Sequence, residues 1–158
     1  MLDSTVLAFD PGPTSTGFAV VATVAVGNVR RHTYVDGGQC SSTPEGFAAV
    51  LEAFPGVRVA IEQVAGYAYE QARSAQLIAT ARVGGLLEGL ARSDGRAVQT
   101  IAAGQWRKSL CGRSSADDAT IKRAVGVFVV GLPKRTNVHV RDALGLAVVA
   151  SWVTRRAA

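Results

Sequence analysis

Apolar and polar positions alternate along the chain in two rhythms, and the breaks between them mark out the elements. Residues 4–10 (STVLAFD) form a β-branched and apolar run closed by Asp10-Pro11-Gly12-Pro13. This predicts a buried strand that ends at a tight turn, with Asp10 at its carboxyl end. Residues 15–26 and 29–36 read as two more strands joined by Gly27-Asn28, a hairpin signal, so the first three strands make an antiparallel meander. Thr43-Pro44-Glu45 supplies an N-cap, a proline at the first helical position and an early acidic residue. A helix over 44–54 follows, stopped by Phe54-Pro55-Gly56. Residues 57–62 (VRVAIE) alternate into a fourth strand, and the helical crossover makes it parallel to the third. Glu62 closes that strand.

From 71 to 92 the chain is rich in Ala and Leu at helical spacing, the longest helix predicted. Residues 97–101 (AVQTI) give a short fifth strand, and 103–111 a short helix ending at Cys111-Gly112. Ser115-Ala116-Asp117-Asp118 has a capping-box arrangement before an amphipathic helix that runs to about Val130, where Gly131-Leu132-Pro133 ends it. The last helix spans about His139 to Val153. The order βββαβαβααα contains no internal repeat or linker, which predicts one α/β domain over 1–158.

With 158 residues, 48% hydrophobic and 18% charged, the composition excludes disorder and collagen-like repeats. No apolar stretch approaches the roughly 18 residues of a membrane span, and no basic residue precedes the first apolar run, so a cytoplasmic protein with no membrane partner is expected. Cys40 and Cys111 lack CxxC or CxxH neighbours and are expected as free thiols. Charge changes the picture more. The net +5 is concentrated in residues 101–141, which carry eight basic side chains against Asp117 and Asp118. Such a local excess is the footprint of a polyanion partner, or else a solvated charged face.

The acidic residues bear on that choice. Asp10 and Glu62 both end apolar strands, and the carboxyl ends of neighbouring strands are where α/β sheets carry their sites. Two carboxylates brought together in a partly buried place repel, and a hard divalent metal is the simplest compensation. Alternatively, Asp10 caps the Pro-Gly turn and Glu62 meets a basic partner. His139 and Asp142 stand three residues apart at the start of the last helix, hence on one face. Because that helix continues as the buried-type run Ala143 to Ala150, its first turn should abut the sheet, so that four ligands meet at one edge. Asp142 could instead simply favour the helix amino terminus, with His139 structural.

Phe9-Asp10-Pro11-Gly12, Ile61-Glu62-Gln63-Val64, Ala81-Arg82-Val83-Gly84, Lys122 on the basic helix and Asp142-Ala143-Leu144 resemble, in order and spacing, the RuvC family of Holliday-junction resolvases. That resemblance implies a ribonuclease H-like fold with a five-stranded mixed sheet in the order 3-2-1-4-5, flanked by helices. It further implies a homodimeric endonuclease that cuts four-way DNA junctions. Asp10, Glu62, His139 and Asp142 match the family's metal-binding positions, for two Mg²⁺ or Mn²⁺ ions, with Asp10 as the expected bridging ligand. Lys122 is expected at the scissile phosphate. Arg73, Arg82, Arg107, Lys108, Arg113 and Arg123 are expected on DNA backbones, setting register without reading bases.

Two departures accompany the resemblance. The third metal position is more often Asp in the family and is His139 here. Where the family commonly carries an aromatic after Gln-Val, this chain has Ala65; Tyr67 and Tyr69 follow, to stack on a splayed base or to pack. Other readings are a ribonuclease H-like nuclease acting on other branched DNA and a junction-binding protein without cleavage. Asp10-Pro11-Gly12-Pro13-Thr14 also resembles the first phosphate loop of actin-like nucleotide-binding domains, but no second phosphate loop or adenosine motif occurs.

Overall fold

Strand β1 (Ser4–Asp10) lies in the middle of a six-stranded sheet because its side chains are apolar on both faces. Val6 and Ala8 enter one core, Leu7 and Phe9 the other. The computed structural model describes residues 4–64 and 71–153, the side chains of 71–74 and 153 excepted. β1 pairs antiparallel with β2 (Ser15–Val26), which pairs antiparallel with β3 (Val29–Ser41). On its other side β1 pairs parallel with β4 (Arg58–Gln63), and β4 pairs parallel with β5 (Val98–Ala102). The expected order 3-2-1-4-5 is thus present.

The sixth strand, β6 (Val129–Val130), was expected as the end of a helix. Two β-branched residues before Gly131, whose φ is 81°, instead leave the helix and pair parallel with β3 at His32 and Thr33. β3 also runs five residues beyond its predicted end at 36. Gly37 and Gly38 look like a stop signal, but they remain in the strand just after a bulge at Val35.

Helices cover both faces. α1 (Pro44–Ala53) and α2 (Gln71–Ser93) pack over Leu7, Phe9, Val59 and Ile61 through Phe47, Leu51 and Leu87. Thr43 caps α1, its hydroxyl accepting from Gly46 N at 3.2 Å. On the other face lie α3 (Ala103–Cys111), α4 (Asp118–Phe128) and α5 (Val138–Val153). The cap of α4 is Asp117, which accepts from Thr120 N at 2.8 Å, rather than the predicted Ser115. α5 is the central helix, buried from Asp142 to Ser151. Both cysteines are free thiols. Among the described residues no helix is long and apolar enough to cross a membrane.

Candidate active site

The site is built by two strand ends and one helix start. Phe9 lies opposite Ile61 in the parallel β1–β4 ladder, so Asp10 and Glu62 come next on adjacent strands. By strand alternation they share the face of Ala8 and Ala60, the one covered by α3 and α5. The turn after Asp10 is tied down, since Ser42 Oγ donates to the Gly12 carbonyl at 2.7 Å and Ser42 N to the Thr14 carbonyl at 3.1 Å.

α5 is brought onto this edge by its own cap and by a missing side chain. Asn137 Oδ1 accepts from Val140 N at 2.8 Å, starting the helix. A Cβ on Gly17 of β2 would stand 2.5 Å from the His139 backbone, so only glycine lets the first turn of α5 sit this close to the sheet. His139 Nδ1 lies 2.6 Å from Asp10 Oδ2. Asp142, 6% exposed, accepts from Arg107 Nη2 at 2.9 Å. Glu62 Oε2 accepts from the indole N–H of fully buried Trp106 at 2.7 Å, and the Arg107 guanidinium lies over the Trp106 ring, 5.2 Å from its centroid. Trp106 and Arg107, adjacent on α3, therefore hold Glu62 and Asp142.

Electrostatics mark the same spot. Burial pushes the Glu62 carboxyl up to about 7, with the negative charge of Asp10 adding to the rise and the Trp106 hydrogen bond opposing it. Burial likewise raises Asp10 to about 6; the His139 hydrogen bond pulls it down, and Asp142 pushes it up. Asp142 is raised by burial against the opposing charge of Arg107. Three carboxylates that resist ionisation at one sheet edge lack positive charge.

A hard divalent cation fits that deficit. Asp142 Oδ1 is buried without a hydrogen-bond partner among the described residues, and three carboxylates with one imidazole form an oxygen-rich donor set. As they stand, no three acidic, His or Cys side chains among the described residues gather tightly enough to enclose an ion. Trp106, Arg107 and His139 occupy part of the acceptor capacity.

The expected DNA contacts are placed less closely together. Arg107 is at the cluster, while Lys108 on α3, Arg113 in the following loop and Arg123 on α4 are exposed. Lys122 was expected beside the reacting phosphate. It lines a separate cavity with Val125, Lys134 and Arg141. Arg82 is exposed on α2; Arg73 belongs to the same helix but its side chain is outside the described residues, as are Tyr67 and Tyr69. Trp106 was missed as a site residue. Its signal was a tryptophan, one of two in the chain, followed by Arg at a strand-to-helix junction, where a buried indole needs an acceptor for its N–H.

The family described as crossover junction endodeoxyribonuclease RuvC matches residues 6–150. Thermus thermophilus RuvC has a similar structure at 24% identity and a TM-score of 0.71, covering 96% of each chain. The same bacterium's RuvC in complex with Holliday junction substrate matches at 22% identity and a TM-score of 0.73, over 97% of this chain and 96% of that one. A fowlpox virus Holliday junction resolvase matches at 11% identity and a TM-score of 0.58, covering 92% and 97%. No curated protein sequence matches the chain.

Proposed function

The chain belongs to the RuvC family of crossover junction endodeoxyribonucleases, and from that premise we propose that it hydrolyses junction phosphodiesters at the edge where Asp10, Glu62, His139 and Asp142 meet. It is a DNA hydrolase that resolves four-way junctions. The observation that carries the assignment of the site is the pair of strand-end carboxylates, held high in pKa by burial and each gripped by a partner from the opposite layer.

Family members depend on divalent metal; Mg²⁺ or Mn²⁺, two ions to a site, is part of the proposal. Bound among these side chains, such cations supply an activated water and neutralise charge on the phosphate. Asp10, Glu62 and Asp142 hold them with their oxygens. His139 serves as a neutral imidazole, its Nδ1 beside Asp10. Trp106 fixes Glu62 by one oxygen and leaves the other available. Arg107 sits on Asp142, which makes it, among the described residues, a cation in contact with the cluster and able to hold a phosphate oxygen. Lys108, Arg113 and Arg123 follow the backbones. Tyr67 and Tyr69 are proposed as the aromatics that stack on a splayed base.

The working unit is proposed to be a homodimer, since two opposed strands need two sites. α2 leaves Ile78 and Leu86 53% and 39% exposed, apolar surface that a second copy would cover. The test is incubation of the purified protein with Mg²⁺ or Mn²⁺ and synthetic four-way, three-way and linear duplexes. Paired nicks on the four-way junction alone are expected. Equal cutting of all three, or binding without cutting, would replace this reading with that of a general branch nuclease or a junction-binding protein.

A further inference from the structure

The two flanks of α5's first turn carry different chemistry. His139 and Asp142 face the sheet edge, whereas Arg141 and Leu144, nearly opposite at 3.6 residues per turn, line a cavity of about 450 Å³. Its walls are the carboxyl half of α4 and residues 131–136, the loop that follows β6. Leu132 and Pro133 give it an accessible apolar wall over the buried Val125 and Leu144, and the exposed Lys122, Lys134 and Arg135 also line it.

Those three cations have no ion-pair partner among the described residues, and no carboxylate lines the cavity. Arg141 is different. It is spent on Asp118, with both guanidinium contacts of Nη2 at 2.7 Å, and on the Thr136 carbonyl at 3.0 Å. It thereby braces the loop against α4 and α5, so the cavity has fixed walls. Gly126 adds room, since a Cβ there would meet nothing within 4 Å. Unpaired cations beside the apolar wall of Leu132 and Pro133 suit a nucleotide, its phosphate on the cations and its sugar and base against the wall.

We propose that this cavity is a second nucleotide-binding site, which takes one backbone phosphate of the junction with its attached nucleoside, on the flank of α5 away from the carboxylate cluster. The proposal rests on the nuclease reading above and adds to it where a flanking stretch of strand is gripped. Lys122 and the previously unassigned Lys134 and Arg135 hold the phosphate, while Gly126 keeps the space open. A strand held on both flanks of α5 is fixed in direction relative to Asp142, which orients it for cutting.

The test measures full-length protein binding to a four-way junction by fluorescence anisotropy without divalent metal, over a series of salt concentrations. Two variants approach the cavity in different ways: Lys134→Gln with Arg135→Gln removes charge, and Gly126→Phe fills the space while leaving every cation. Each phosphate contact contributes about 0.9 to the slope of log affinity against log salt on duplex DNA. The double variant should therefore flatten the slope by up to one contact's worth, and Gly126→Phe should weaken binding about tenfold with its fold intact by circular dichroism. Arg92→Gln on α2 is the control for loss of a cation elsewhere, and should change neither by more than its share of net charge. If wild-type protein binds the junction and both cavity variants match it in affinity and slope, the site is not there. Wild-type protein with no preference for the junction would overturn the nuclease reading itself. Thymidine monophosphate alone should bind weakly; tight binding that leaves junction affinity untouched would make the cavity a free-nucleotide site and overturn the DNA assignment.

Discussion

Asp10 was legible as a strand-closing acid, and Glu62, expected to close β4, stands one residue before its end at Gln63; a charge directly after a buried run has few reasons to be there. His139 and Asp142 were legible as one helical face. The grip of Trp106 on Glu62 was not, since it joins residues 44 apart in sequence through space and no local pattern encodes it. It can be tested directly. Trp106→Phe keeps most of the ring's packing against Gly145 but leaves a buried carboxylate oxygen without its donor, a loss of about 1–3 kcal/mol. Urea unfolding should show that decrease. The metal concentration for half-maximal cleavage should rise as well, while junction affinity without metal stays as in the wild type. His139 permits a second test. A nitrogen ligand weakens the preference for hard Mg²⁺ relative to Mn²⁺, so His139→Asp should raise the ratio of Mg²⁺-supported to Mn²⁺-supported cleavage. An unchanged ratio across both titrations would mean that His139 binds no metal.

At the scale of elements, strand alternation and helix signals were enough to place β1, β2, β4, β5 and α1, but not the margin of the sheet. β3 continues through Gly37-Gly38 because β2 supplies partners as far as Ser15–Ser41, and β6 exists only because β3 offers an open edge at His32 and Thr33. Both depend on neighbours distant in sequence. Gly17 is the element-scale hinge of the site, where β2 and α5 touch backbone to backbone. Gly17→Ala should cost about 1–3 kcal/mol by overpacking and lift the first turn of α5, so that thermal stability and cleavage fall together. His32 joins the same two elements further along. Trp152 Nε1 donates to its Nε2 at 3.3 Å, leaving Nδ1–H to donate to Thr23 Oγ1 at 2.9 Å, which requires the neutral ring. Burial, then the charge of Arg30, holds its pKa below 6.5. The unfolded chain thus takes up this proton first as pH falls, and the stability from neutral His32 is present above about pH 6.5 and lost below it. Unfolding free energy should drop more from pH 7 to 5.5 in the wild type than in His32→Gln. Parallel pH profiles would show that this ring does not titrate with folding.

On the scale of the whole molecule, the core strand order followed from the resemblance of four ordered segments, whereas the location of the basic side chains did not follow from their count. Eight cations lie between residues 101 and 141, but they divide among the carboxylate cluster, the exposed face of α3 and α4, and the cavity behind α5. Under the proposed function, binding and cutting fall to different residues, the first to cations over a wide surface, the second to the buried Asp10 and Asp142 and the half-buried Glu62 at one sheet edge. The measurement that tests this most directly pairs gel-shift with cleavage for Asp10→Asn, Glu62→Gln and Asp142→Asn on a four-way junction. Each substitution keeps the shape and removes one negative charge facing phosphate, so junction binding should be equal or tighter while product disappears in both Mg²⁺ and Mn²⁺. Substantial turnover by any one of them would contradict the account.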